Sequence, residues 1–431
     1  MDVHPTHLAV MVAGGLLAAL VYTVTHRLFF HPLAKVPGPV LVGISTLYEM
    51  YYELWLPGQY HSRIRDLHAK YGPIIRPVPE EVHINDPEFL GTIYALRNRN
   101  NPNKFGLMVD QSVAGAEDFY LHKMRRDALN PYFSQKSVLS MEYLIVEKRE
   151  QVTRHVESAL KSGQPLNLSD VYFAFANDLV RNFCFGSNNG LMNRLPEAKV
   201  ESNNLMRFLT GVKINKHFPW IGRGLSKLGG FAVPPAVMDL IEFKAAAGKD
   251  IEAVLADTHN DRKGRHSVFY ELRDSETLPP EEKTLPRLQD EATILVMAGT
   301  ESTAKSLGYG SFYLLHYPTT LQNLRDELHE ARSRSDHDTL SLTELLQLPY
   351  LNAVILETNR LTFGVTNRMT RSSPTESLTY TASYGPNKGQ TYVFPPGTEM
   401  SCITYGTHMN EELFPDPPHS TRSDGLEMVK M

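Results

Sequence analysis

Chemistry in this sequence would start at Ala298-Gly299-Thr300-Glu301-Ser302-Thr303, where a glycine, an acid and hydroxyls follow an apolar run, Ala292 to Gly299. A glycine inside a helix costs about 1 kcal/mol against alanine, and an acid on a buried helix costs more unless it is partnered. Two readings fit. In one the helix bends here and Glu301 faces solvent. In the other the missing side chain widens a groove beside a planar cofactor, and the hydroxyls feed protons to its ligand.

A second constellation is Glu357-Thr358-Asn359-Arg360, whose Glu and Arg fall on one helix face and can pair. Such a pair is common on surface helices, so alone it says little. A third is His122-Lys123-Met124-Arg125-Arg126. A basic cluster of this size is ordinarily a solvated face, but an arginine at a cofactor edge would suit carboxylates through its forked donors.

The elements that must position these groups are mainly helical. From about residue 120 to 370 the apolar spacing is that of helices. One helix is predicted from about Pro286 to His316, with Thr284 as N-cap and Pro318 stopping it. Another is predicted from Pro349 to Thr362, after a short helix opened by a capping box at Ser341 to Glu344. Ile74-Ile75-Arg76 and Val82-His83-Ile84 read as a hairpin, and Asp86-Pro87-Glu88 opens a helix. Strand character returns at 378–380 and 391–394, and an apolar run at Met400 to Tyr405 reads as a further strand. No βαβ alternation or Gly-rich phosphate loop is present, which argues against a Rossmann fold.

The N-terminus differs from the rest. Leu8 to Thr25 is uncharged and as a helix would span about 27 Å, near the thickness of a thin bilayer. The basic residues Arg27 and Lys35 follow it, so a single-pass anchor with the long C-terminal portion in the cytosol is expected. A cleaved signal or a core helix is the alternative. The net charge of −5 in 431 residues offers no field for nucleic acid. Cys184 and Cys402, the two cysteines, form no disulfide framework or CxxC zinc pattern.

In this order the segments resemble the cytochrome P450 family. Ala298 to Thr303 resembles its central-helix oxygen-activation motif, Glu357 and Arg360 its ExxR pair, and His122 to Arg126 its WxxxR element with His for Trp. Val36-Pro37-Gly38-Pro39 resembles its proline-rich hinge, while Phe394 to Thr398 and Phe414-Pro415-Asp416-Pro417 resemble its late turn and the approach to the haem loop. HPLAKVPGP, YGPII and ALNPYFS look like fungal terpenoid oxygenases of the trichodiene-oxygenase kind.

The resemblance implies a mainly α fold with small β-sheets and a membrane-anchored haem monooxygenase. Its electrons would come from an NADPH–cytochrome P450 reductase, its substrate would be lipophilic, and it would sit in the endoplasmic reticulum membrane. It also implies proton delivery by Glu301, Ser302 and Thr303 during cleavage of iron-bound dioxygen. Haem contact would fall to His122, Arg126, Ala298 and Gly299, with Arg126 on a propionate, and structural pairing to Glu357 and Arg360. Ser302 stands where the family usually has threonine. Phe105 to Asp118 and the segment around Phe218-Pro219-Trp220 align with the family's substrate loops. Phe218 and Trp220 could equally touch the membrane or pack into the body.

After Pro417 the family continues to FxxGxRxCxG, whose cysteine thiolate binds iron, whereas here Pro418 to Met431 is polar and lacks cysteine. The parts expected are therefore an anchor at 1–30, a catalytic body lacking its haem-thiolate segment at 31–417, and an aberrant tail at 418–431. Cys402 and Cys184 read as core residues and His408 as exposed. The rival to a working oxygenase is a haemless, anchored remnant or a mis-drawn gene model.

Overall fold

A computed structural model describes residues 5–56, 58–102, 106, 108–187, 190–220, 235–257, 267–335, 339–411, 413 and 414. The chain divides into two compact units, one holding Met1–Pro102, Glu117–Phe119 and Val365–Asn410, the other Asn103–Ala116, Tyr120–Gly364 and Glu411–Met431.

The first unit begins with α1, Pro5–Thr25, continued by a π-helical turn at His26–Phe30. One helical stretch of the described chain, Val10–Phe30, is long and apolar enough to cross a membrane, and none of it is buried. Two short helices follow, α2 at Val40–Ile44 and α3 at Leu47–Met50, the latter running into a π-helical turn at Tyr51–Trp55. Then comes α4, Tyr60–Tyr71.

The expected hairpin is present as β1, Ile74–Val78, antiparallel to β2, Glu81–Ile84. Asp86 accepts from the Glu88 amide as predicted, although what it opens is a 3-10 turn at Pro87–Phe89. Further on come β3, Arg371–Ser372, and the hairpin of β4, Leu378–Thr381, with β5, Thr391–Phe394. The strand expected over the last apolar run is shorter than predicted. β6 covers Glu399–Ser401 and gives way to a helical turn at Thr404–His408, so Cys402 lies just past the strand. β6 runs parallel to β2 and antiparallel to β3. Leu33, Ile74, Val82, Ile84, Tyr380 and Phe394 form this unit's core.

The second unit is helical. Its elements are α5 at Phe119–Leu129, α6 at Glu142–Ser162, α7 at Leu168–Phe185, α8 at Leu195–His217 and α9 at Pro235–Ala256. They are followed by α10 at Leu285–His316, α11 at Pro318–Arg334 and α12 at Pro349–Thr362. The bounds of α10 and α12 agree with the proline signals, because a proline near the N-terminus loses no helical hydrogen bond while one beyond the end cannot continue the ladder. Thr284 has the extended backbone of an N-cap but makes no side-chain capping bond. The capping box at Ser341–Glu344 is complete. α10 lies against α7 and α9 along its length, with Ala292 and Val296 in one apolar cluster and Ala304 in another.

Candidate active site

The helix α10 carries its polar motif on two different sides. Ala298, Ser302 and Lys305 are exposed and fall at i, i+4 and i+7, the spacing of one helix face. Glu301 borders that face with its side chain only 15% exposed, and its Oε1 lies 2.7 Å from Lys305 Nζ. Glu301 thus belongs to neither simple alternative. It is mostly covered, and its charge is met four residues on. Lys305 was not singled out in the sequence, since a lysine four residues after a glutamate occurs in any helix.

Ser302 Oγ donates to the Ala298 carbonyl at 2.7 Å, so in this rotamer it offers a ligand an acceptor rather than a proton. Thr303 is exposed, whereas Thr300 is buried and accepts from Asn177 Nδ2 at 3.4 Å.

Gly299 does not open the groove that its type suggested. A Cβ built there would fall 2.7 Å from Cγ2 of Val180 on α7. The missing side chain lets two helices approach, and valine fills the space. Of the four residues expected to contact haem, Gly299 is therefore spent on helix packing.

On α12, Arg360 donates through Nε and Nη2 to the two carboxylate oxygens of Glu357, both at 2.7 Å. The Arg360 side chain is 6% exposed and its guanidinium lies 4.8 Å from the centre of the Phe414 ring. This is a buried, forked and stacked pair, far more constrained than a surface i,i+3 contact. Residues 415–417, read with Phe414 as the approach to the haem loop, lie outside the described residues, as does the tail at 418–431.

On α5 the two adjacent arginines separate. Arg125 is the buried one, with Nε and Nη2 each 2.9 Å from the carboxylate of Glu282 and Nη1 donating to the Ser112 carbonyl. Arg126 is exposed and, among the described residues, has no carboxylate partner. The arginine that would hold a propionate is thus not buried by the protein itself. Its one-residue offset on a helix turns it away from Arg125's side. His122 is half-buried.

Sequence reasoning missed a set of buried acids at the start of α10. Asp290 and Glu291 accept from the Gln111 and Val113 amides at 2.9 and 3.0 Å, pinning the segment read as a substrate loop. Lys244 and Arg287 neutralise them, each at 2.6 Å. The available signal was the Gln289-Asp290-Glu291 run facing an otherwise apolar helix. Phe105, in the same loop, lies outside the described residues. Phe218 is half-buried and Trp220 is 62% exposed.

Neither cysteine fits an iron thiolate. Cys184 is buried beside Phe185, Phe269 and Ala292, and burial pushes its thiol up to about 12. Cys402 is buried in the first unit and donates to the Ile403 carbonyl at 3.6 Å, its thiol also raised by burial. A metal-binding thiolate needs the opposite shift, a pKa lowered by nearby positive charge. His408, expected on the surface, is half-buried in its helical turn.

Residues 42–419 match the model of the cytochrome P450 family, and the chain belongs to that family. It is 33% identical to the cytochrome P450 monooxygenase astB of Talaromyces wortmannii over 96% of this chain and 78% of that protein. It is 32% identical to the cytochrome P450 monooxygenase TRI4 of Trichoderma arundinaceum, over 91% of this chain and 75% of that one. The conidiogenone synthase PchP450 of Penicillium rubens is 33% identical over 91% and 78%.

The family implies haem, and the described residues fit it only in part. An unpaired cation at Arg126 and an exposed stripe at Ala298, Ser302 and Lys305 suit a porphyrin's edge and face. The donor set does not fit, because both thiols are buried and raised.

Proposed function

We propose that this protein acts as a fungal monooxygenase on a lipophilic, terpenoid-like molecule, hydroxylating or epoxidising it with electrons from an NADPH–cytochrome P450 reductase. The observation that carries the reading is the exposed face of α10, where Ser302 stands beside the mostly covered Glu301 on the turn that follows the buried Ala292–Val296 segment. There Glu301 holds or releases a proton at its carboxylate, Lys305 fixes that carboxylate, and Ser302 accepts a hydrogen bond through Oγ. Thr303 adds a second hydroxyl. His122 and Arg126 would hold the carboxylate edge of a bound haem, with Ala298 facing the ring, and the Glu357–Arg360 pair would stiffen α12. Residues 1–30 anchor the chain in the endoplasmic reticulum membrane as one span with the body, 31–417, in the cytosol.

A second reading has a specific observation in its favour. The raised, buried thiols of Cys184 and Cys402 fit a chain that holds no haem and at most binds partners or lipophilic ligands. Purifying the chain with added haemin and recording the reduced carbon-monoxide difference spectrum separates the two. A red-shifted Soret band of thiolate type supports the oxygenase, and haem-free protein defeats catalysis by these residues.

A further inference from the structure

Residues 108–113 are held by their backbone, through charged side chains of three helices. Lys244 of α9 donates through Nζ to the Met108 carbonyl at 2.8 Å, and Arg125 of α5 donates through Nη1 to the Ser112 carbonyl at 3.2 Å. Asp290 and Glu291 of α10 take amides of the same stretch. Asp290 Oδ2 accepts from Gln111 at 2.9 Å and Glu291 Oε2 from Val113 at 3.0 Å. Cations thus meet carbonyls, and carboxylates meet amides.

The gripping side chains are also locked to one another. Lys244 Nζ lies 2.6 Å from Asp290, and Arg287 Nη1 lies 2.6 Å from Glu291. Glu282, in the turn at Pro280–Lys283, joins Arg125 to Arg287 at 2.9 and 2.6 Å. Three carboxylates and three cations balance in this set, and all but Lys244 are buried. Burying such a set adds little net stability, because desolvation offsets most of the attraction. What it supplies is direction, since each group points at one backbone atom.

Only amides and carbonyls are gripped, so the hold does not depend on the side chains that the loop carries. Inside the loop the Ser112 hydroxyl donates to the Val109 carbonyl at 2.8 Å and accepts from the Gly115 amide at 3.1 Å. A Cβ at Gly115 would strike the Val109 carbonyl, so this turn needs glycine. Met108 sits at a φ of +54°, where a residue with a side chain stays only if its surroundings hold it. Lys244 on its carbonyl is such a hold.

We infer that Asp290 and Glu291 are positioning residues, which fix 108–115 to α10 as a rigid wall rather than a lid. Glu291 and Ala298 lie on the same helix, about 10 Å apart along its axis. A lipophilic substrate resting on the wall would meet the face at Ala298 and Ser302 in a set position, so the two acids govern which part of it is presented. That step rests on the proposed function, whereas the rigidity of the wall does not.

The test is amide hydrogen exchange on the full chain, read residue by residue, with Nile red as a probe of lipophilic binding. In the native sequence Gln111 and Val113 are expected to exchange slowly, within about tenfold of the buried α10 amides. Asp290→Ala should speed Gln111, and Glu291→Ala should speed Val113, each about tenfold or more, the scale of a lost hydrogen bond to a charged acceptor. Exchange in α6 should stay as it was. Asp290→Asn and Glu291→Gln keep an accepting oxygen and should restore most of the protection. Loop amides that exchange freely in the native sequence describe a lid and overturn the inference, whether or not any variant folds. Acceleration spread evenly through α6 and the loop shows that the acids only support the fold, and overturns it too. The native chain is expected to bind Nile red, and both alanine variants to bind it more weakly; equal binding overturns the positioning role. A native chain that protects the loop but binds no Nile red leaves the wall standing and defeats the lipophilic substrate proposed above.

Discussion

Gly299 of α10 and Val180 of α7 are in contact where the central helix lacks a side chain, and a Cβ on Gly299 would stand 2.7 Å from Cγ2 of that valine. The contact converts a residue that is poor for helices into one that the packing requires. Gly299→Ala should gain about 1 kcal/mol of helix propensity and lose about 1–3 kcal/mol to overpacking. A net loss of stability is therefore expected, visible as a lower denaturation midpoint. Val180→Ala should relieve the clash, so the double variant must lose less than the sum of the singles. Additive losses would place the glycine's role elsewhere.

The forked pair on α12 leads to a second expectation. Arg360 is the more buried partner and is stacked on Phe414, so Arg360→Ala removes a cation, two hydrogen bonds and a packed surface together. A loss of about 3 kcal/mol is expected, at the low end for breaking a buried pair because Glu357 keeps some access to water. Arg360→Lys keeps the charge but not the fork, and should recover less than half of the loss in chemical denaturation. Full recovery by lysine would mean that charge alone matters there.

Arg125 and Arg126 make a third test, since adjacent residues of one type are assigned opposite roles. Arg125→Ala takes a buried forked partner from Glu282, which keeps only Arg287 at 2.6 Å, a cation already shared with Glu291, and should destabilise the fold by about 3 kcal/mol. Arg126→Ala removes an exposed cation with no carboxylate partner among the described residues and should change stability by less than about 0.5 kcal/mol. Under the proposed function, haemin bound per chain should nevertheless fall in Arg126→Ala. Unchanged haemin retention would remove Arg126 from the cofactor's edge.

These cases show which features the sequence made readable. The ends of α10 and α12 were legible because proline acts locally, through a missing amide and a fixed φ. The Glu357–Arg360 pair was legible as a pairing because helix spacing is local too. Its burial was not, since the ring that covers it comes from Phe414, far along the chain. The same holds for Arg125, whose choice over Arg126 is made by Glu282, and for Gly299, whose neighbour is on another helix. Glu301's partner Lys305 is local, but nothing in its spacing sets it apart from any surface pair. Side-chain partners far apart in sequence decide these roles, and periodicity carries no record of them.

The buried histidines of the first unit make the fold less stable in acid. His68 and His83 are buried with ring nitrogens 2.7 Å apart, and His68 Nδ1 lies 2.8 Å from the Gly72 carbonyl. A carbonyl only accepts, so His68 carries its proton on Nδ1 and its Nε2 accepts from His83 Nδ1–H. That assignment leaves His83 Nε2 as a bare acceptor, and it is indeed buried without a partner. Burial lowers His68 to about 4 and His83 well below its usual value, with His68 and Arg368 adding repulsion to a proton on His83. Both rings are therefore neutral in the fold, whereas in the unfolded chain they take up protons near pH 6.5. The unfolded state binds more protons below that point, so the stability is fully present above about pH 6.5 and is lost as the pH falls toward 4. His68 alone accounts for about 3 kcal/mol across that window, at about 1.36 kcal/mol for each tenfold change in proton affinity. Urea midpoints measured from pH 8 to 4 should hold steady and then drop. His83→Leu removes one titrating ring and the bare acceptor, so its drop should be shallower even though His68 loses a hydrogen bond. An acid limb of the same slope in His83→Leu would show that other groups, and not this pair, govern acid unfolding.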